Sequence, residues 1–71
     1  MTDKIIQVIG EVLETPVDKD TSQENCAKWD SLRHLNIIVA IEDAFDVSFE
    51  PEDIAQMKTV KDIEEFILRY H

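Results

Sequence analysis

The sequence predicts an all-α fold: a small four-helix bundle of three longer helices, with one short helix between the second long one and the last. Three observations predict it. Apolar residues recur at the spacing of one helical face near both ends of the chain, a middle stretch from Leu32 to Phe45 is apolar on nearly every side, and no stretch alternates with the period of a strand. With 71 residues the chain is expected to form a single domain over 1–71, and a chain this short buries only about 60% of the surface its unfolded form exposes. A deep catalytic cleft would compete with the core for the same side chains. A carrier, binding or scaffold role is therefore expected, and not an enzyme.

Residues 3 to 14 are predicted as the first helix. Ile5, Ile6, Val8, Ile9, Val12 and Leu13 fall on one face, with Asp3, Lys4, Gln7 and Glu11 on the other. Thr2 is a suitable N-cap and Asp3 suits the first turn. Gly10 lies inside the pattern at a cost of about 1 kcal/mol relative to Ala, and Pro16 is expected to close the helix by pushing Thr15 toward an extended conformation. The loop from Val17 to Lys28 is polar. Counted as a calcium loop from Asp18, it places Gln23 where glycine is needed and Trp29 where a bidentate glutamate is needed, so it is not an EF-hand.

The second helix is predicted from about Ser31 to Asp46, with Asp30 as its N-cap. Being apolar nearly all round, it is expected in the middle of the domain, packed on several sides. Its acids, Glu42, Asp43 and Asp46, gather at the C-terminal end, where the helix dipole disfavours them. That conflict suggests a purpose other than helix stability. Val47-Ser48-Phe49 reads as extended, and Pro51 opens a short third helix ending by Met57. Thr59 then caps the fourth, with Asp62 three residues on in a capping-box arrangement and Val60, Ile63, Phe66, Ile67 and Tyr70 as the apolar stripe.

The net charge of -9 comes from 16 acidic against 7 basic residues. It argues against nucleic acid and anionic membrane surfaces as partners, and favours partners with basic patches. One cysteine, Cys26, permits no internal disulfide and no cysteine-rich zinc site. His34 and His71, the two histidines, belong to no metal-ligand spacing, and the single glycine rules out a glycine-rich phosphate loop. The N-terminus lacks a basic segment followed by an apolar one, and the longest apolar run, Ile37 to Ile41, is too short for a membrane span. The chain reads as cytoplasmic. At Asp30-Ser31 the residues alone favour a plain reading, Asp30 as the cap and Ser31 as an ordinary first-turn residue in a three-residue pattern that arises often by chance. Even so, a hydroxyl at a helix N-terminus, beside unpaired N–H groups and the positive end of the dipole, is a favourable place for a phosphodiester.

Five segments stand together: Asp30-Ser31-Leu32, the apolar helix with Glu42 and Phe45, Phe45-Asp46-Val47 leading to Phe49, Pro51-Glu52-Asp53-Ile54, and Thr59-Val60 with Ile63 beyond. In this order they resemble an acyl carrier protein, of the superfamily that also holds peptidyl and other carrier domains. The resemblance covers nearly all of the chain. It implies that Ser31 receives 4′-phosphopantetheine from coenzyme A through a separate phosphopantetheinyl transferase, and that acyl groups ride on the arm as thioesters. It also implies docking through the second helix and the following segment onto basic patches of acyl-transfer or condensing enzymes. The expected docking residues are Leu32, Arg33, Glu42, Asp43, Asp46, Glu52 and Asp53, with the chain acting as a monomer. Two departures stand out. Lys28-Trp29 precedes the motif where fatty-acid-synthesis carriers have small residues, and Arg33, His34 and Asn36 follow where those carriers have acids. The surface nearest Ser31 is thus expected to be neutral to basic, so that of the two acyl-carrier routes the resemblance allows, fatty-acid biosynthesis and specialised lipid or polyketide-type biosynthesis, the specialised one fits better. Two other readings stay open: a peptidyl or aminoacyl carrier, and an unmodified acidic helical adaptor for a basic partner. Trp29 is expected to pack at the loop-helix junction, and the aliphatic residues Ile37, Ile38, Ile41, Ile54 and Ile63 to fill the core in preference to a chain-holding cavity.

Overall fold

The computed structural model describes residues 1–70 and consists of four helices: α1 (Thr2–Leu13), α2 (Ser31–Phe45), α3 (Pro51–Gln56) and α4 (Val60–Tyr70). The all-α architecture and the position of the short helix match the expectation. His71 lies outside the described residues. α1 packs against α2 and α4, and the three long helices each give a stripe to one core. Ile5, Ile9 and Leu13 come from α1, Ile37, Ile38 and Ile41 from α2, and Val60, Ile63, Phe66 and Ile67 from α4, joined by Trp29, Phe49 and Met57. Each stripe follows the i, i+3/i+4 spacing read from sequence, because only residues on one side of a helix can meet a neighbouring helix.

The helix ends depart from expectation in informative ways. Thr2 is not a cap: it lies within α1, no side chain caps that helix, and its hydroxyl donates to Glu64 on α4. A tertiary partner has taken the side chain that local logic assigned to the helix start. Nor does Pro16 set the end of α1. The stop is made two residues earlier by Glu14, in the left-handed region at φ 55°, whose N–H returns to the Gly10 carbonyl together with that of Thr15 at 3.3 Å. α2 ends the same way. Asp46, predicted as helical, is instead its left-handed C-cap at φ 55°, and Val47 N–H also reaches the Glu42 carbonyl at 3.1 Å. At α4 the expected box is half made. Asp62 N–H donates to Thr59 Oγ1 at 2.9 Å, but the Asp62 carboxylate accepts from Lys58 N–H at 3.0 Å in place of Thr59.

The loop between α1 and α2 is ordered by its own side chains. Asp20 N–H donates to Asp18 Oδ1 at 2.8 Å, and Ser22 N–H to Asn25 Oδ1 at 2.9 Å; such turns explain why Asp, Ser and Asn fill it. Gln23 N–H then donates to the Lys58 carbonyl at 2.9 Å and Val60 N–H to that of Thr21 at 3.1 Å, tying the loop to the α3–α4 junction.

The largest correction concerns α2. It is not buried on several sides. Leu32, Leu35 and Val39 are 72%, 54% and 64% exposed, while only His34, Ile37, Ile38 and Ile41 are buried. In a bundle this small α2 meets neighbours on one side only, so apolar residues on its far side have nothing to pack against.

Candidate functional site

Asp30 precedes α2 in an extended conformation, and its Oδ1 accepts from Arg33 N–H at 2.8 Å, as the sequence predicts for an N-cap. Ser31 is thereby the first helical residue and is exposed. With the N–H of Arg33 taken by the cap, those of Ser31 and Leu32 lie at the open, positively polarised end of the helix. An exposed hydroxyl at such an end suits a phosphodiester linked through it, since the negative charge meets unpaired donors and the dipole.

Behind the serine stands a buried polar bridge. Trp29 is 2% exposed, packed at the loop-helix junction as expected, and its indole N–H donates to His34 Nδ1 at 3.0 Å. Because Nδ1 accepts, the imidazole proton sits on Nε2, which donates to the Ile54 carbonyl at 2.9 Å. The two rings lie roughly parallel, 6.1 Å apart. His34, expected beside Ser31 on the surface, is instead 8% exposed and links the loop, α2 and α3. The reason is its position on the helix: residues 34, 38 and 41 share a face, and that face is the buried one. The surface near the serine therefore carries no imidazole. Its cation is Arg33, exposed, with its guanidinium 3.6 Å from the Asp30 carboxylate and 3.3 Å from the Lys28 carbonyl.

The acidic residues divide. Asp43, Asp46 and Glu52 are exposed. Glu42 is half-buried and accepts from Phe49 N–H at 2.8 Å, which holds the segment after α2 against the core. Asp53 does not belong to the exposed acidic surface at all. It is buried, and one carboxylate oxygen accepts both Glu50 N–H at 3.1 Å and the Tyr70 hydroxyl. A residue three positions into a proline-started helix points back to its own N-cap, and there Asp53 meets α4. The Asp53 hydrogen bond above all, then burial, pushes the Tyr70 phenol up from its ordinary value.

Sequence reasoning missed Leu35 and Val39 as surface residues. A signal was present: Asn36 and Asp43 fall on the same side as Leu32 and Val39, and polar residues mark the wet face of an otherwise apolar helix. Thus Ser31, Leu32, Leu35, Val39 and Asp43 share one exposed side of α2, with Arg33 at its edge. Elsewhere a surface hollow of about 350 Å³ is lined by Ser22, Gln23, Glu24, Lys58 and Thr59, none of them a motif residue. No cluster of metal-ligating side chains is found among the described residues, and no helix among them is long and apolar enough to cross a membrane.

Comparison with known proteins agrees with this geometry. A family model for the phosphopantetheine attachment site matches residues 3–67. An acyl carrier protein of Ralstonia nicotianae, its acyl carrier protein 3, is 32% identical over 68 residues, covering 92% of this chain and 78% of that protein. One from Syntrophobacter fumaroxidans is 32% identical over 69 residues, covering 93% and 85%. In fold, the chain is similar to the holo acyl carrier protein of Geobacter metallireducens, with a TM-score of 0.84 at 24% identity over 97% of this chain and 83% of that one. The Thermotoga maritima acyl carrier protein gives 0.78 at 21% identity over 96% and 82%. With a capped, exposed serine inside the matched region and the whole four-helix frame shared, this chain belongs to the phosphopantetheine-bearing acyl carrier protein family.

Proposed function

We propose that Ser31 is the attachment point of the 4′-phosphopantetheine arm and that the chain ferries acyl groups between enzymes without catalysing a reaction itself. The observation that carries this is the placement of Ser31: exposed, first in α2, directly after the Asp30 cap, and within the segment matched by the family. Among the described residues no hydrogen bond joins the Ser31 side chain to a general base, and a separate phosphopantetheinyl transferase would supply the catalysis. Ser31 and Leu32 N–H groups and Arg33 would receive the phosphodiester charge. When bound, the arm supplies a terminal thiol that holds acyl groups as thioesters.

The exposed stripe Leu32, Leu35 and Val39, with Asp43 and Asp46 beyond it, forms the surface on which acyl-transfer or condensing enzymes would settle. Charge of this kind steers encounter and selects partners more than it adds affinity, which suits a monomeric cytoplasmic carrier that visits several enzymes. Trp29 ahead of the motif and Arg33 after it favour a specialised route over general fatty-acid synthesis.

The test is direct. Incubated with coenzyme A and a broad-specificity transferase, the protein should gain one phosphopantetheine by intact mass. Ser31→Ala should gain none while keeping its helical circular dichroism. A folded wild-type protein left unmodified beside an active control, or a modified Ser31→Ala, would overturn the proposal. The first result would point to an unmodified acidic adaptor.

A further inference from the structure

We propose that His34 is a positioning residue for the loading of Ser31. Through its hydrogen bond to Trp29 it fixes the orientation in which α2 presents the serine to the transferase. This rests on the carrier reading above and concerns which groups of this chain set the rate of loading.

Loading is a displacement that needs one alignment. The Ser31 oxygen attacks the coenzyme A phosphorus that bears the pantetheine, and a new P–O bond forms. The P–O bond to the bridging oxygen breaks, adenosine 3′,5′-bisphosphate leaves, and the serine proton passes to a base on the transferase. The carrier's share is to hold the oxygen on the line of displacement, because a shift of about 1 Å in a reacting atom can cost about 100-fold.

The segment Lys28-Trp29-Asp30, which leads into Ser31, is tied to the first turn of α2 in two ways. On the wet side, Arg33 N–H reaches Asp30 Oδ1 at 2.8 Å and the Arg33 guanidinium reaches the Lys28 carbonyl at 3.3 Å. Both Arg33 and Asp30 are exposed, so water competes for these contacts. On the dry side, the Trp29 indole N–H donates to His34 Nδ1 at 3.0 Å, between side chains that are almost wholly buried. No water competes there, and the bond is the firmer anchor. The same imidazole continues to α3, where Nε2 donates to the Ile54 carbonyl at 2.9 Å. The serine turn is thereby set relative to the core as well as to its own helix.

Stability alone does not call for this pair. Two apolar side chains of similar shape would fill the space at little or no loss, since a buried hydrogen bond contributes little net. What the bond adds is direction. An indole can only donate, so it holds the imidazole in the tautomer with Nδ1 unprotonated and fixes both rings together. Among the buried residues of α2, His34 is the only polar one, and it stands about one turn from Ser31.

Single substitutions separate geometry from stability. Asparagine carries an amide oxygen at the δ position, where His34 Nδ1 accepts, and glutamine carries an amide donor at the ε position, where Nε2 donates. Wild-type, H34N, H34Q and W29F proteins are loaded from coenzyme A by a broad-specificity transferase. I67V serves as a control that loosens the core on α4, and all are assayed at a temperature where circular dichroism shows them folded. Intact mass gives the rates. Trp29 is the single tryptophan, so its one indole N–H proton resonance reports whether the bond is made. H34Q and W29F should lose about tenfold in kcat with KM little changed. H34N should keep most of the wild-type rate and the wild-type indole shift, and I67V should load like wild type despite a lower Tm. Rates that follow Tm and ignore the indole resonance would overturn the inference. So would a loss confined to KM, or H34Q and W29F loading at the wild-type rate. A wild-type protein that is never loaded would instead strike the carrier reading.

Discussion

His34 is the residue whose role differs most from its surroundings in sequence. It sits between the exposed polar residues Arg33 and Asn36, yet its ring is buried between an indole donor and a carbonyl acceptor, each within 3.0 Å. His34→Ala would leave the Trp29 N–H and the Ile54 carbonyl buried without partners and open a cavity beside them. The expected loss is about 2–4 kcal/mol in urea unfolding. Trp29 is the single tryptophan, so its fluorescence reports the site alone, and a red shift in the native variant would mark water entering behind Ser31. His34→Leu, which fills the space but also lacks the bonds, should recover part of the packing and none of the hydrogen bonding. Equal stability of all three proteins would mean that the bridge contributes nothing. Ser31 and Asp30 could be placed from sequence because capping is local: the carboxylate and the N–H it accepts from are three residues apart. The partners of His34 lie five residues before it and twenty residues after it, and no local rule reaches that far.

Among the helices, α1 most clearly leaves stability unused. Gly10 lies in its interior, and a Cβ built there meets the Thr15 carbonyl oxygen at 3.4 Å and Val17 Cγ2 at 3.7 Å, ordinary packing distances. Its backbone is not in the left-handed region, so glycine is not required for conformation. Gly10→Ala should stabilise the protein by about 1 kcal/mol, seen as a rise of roughly 4–8 °C in Tm for a domain of this size. A fall in Tm would show that the Thr15 carbonyl cannot give way. α2 spends its composition differently. Of its apolar residues, the set spaced to meet α1 is buried, and the set on the opposite side stays exposed although equally aliphatic. Hydropathy cannot separate these two sets. Only the number of neighbours the helix acquires does so, and a bundle of three long helices and one short one gives it too few.

Across the whole molecule, which spans 28 × 23 × 18 Å, the short helix α3 depends on bonds to distant elements. It is attached to α2 through His34 and to α4 through the Tyr70 hydroxyl donating to Asp53, while Phe49 packs edge-on against Phe66 and Tyr70. The Tyr70 contact has a pH signature. The folded chain holds the phenolic proton more tightly than the unfolded chain, where the ordinary value near 10 applies. Its contribution is therefore complete below that value and is lost as pH rises through the higher folded value. Tyr70 is the single tyrosine, so phenolate absorbance follows it directly. The midpoint should lie above 10 in the native protein, fall toward it in urea, and fall in native Asp53→Asn, where the carboxylate charge is gone. A native midpoint unchanged by Asp53→Asn would exclude the contact as its cause.

The sequence by itself determined the helix count, the core stripes, the Asp30 cap and the serine presented after it, because these follow from periodicity and from contacts a few residues long. Tertiary structure alone decided that Thr2 reaches α4, that Glu14 and not Pro16 ends α1, and that His34 and Asp53 are buried. It also left Leu35 and Val39 exposed beside Ser31. The physical reason for the side chains is shared: each is committed by whatever partner the folded chain brings to it, from five residues away for Trp29 and His34 to 62 for Thr2 and Glu64. The resulting face of α2, apolar in the middle with Arg33 at one end and Asp43 and Asp46 at the other, exists only once the other three helices have taken the opposite side.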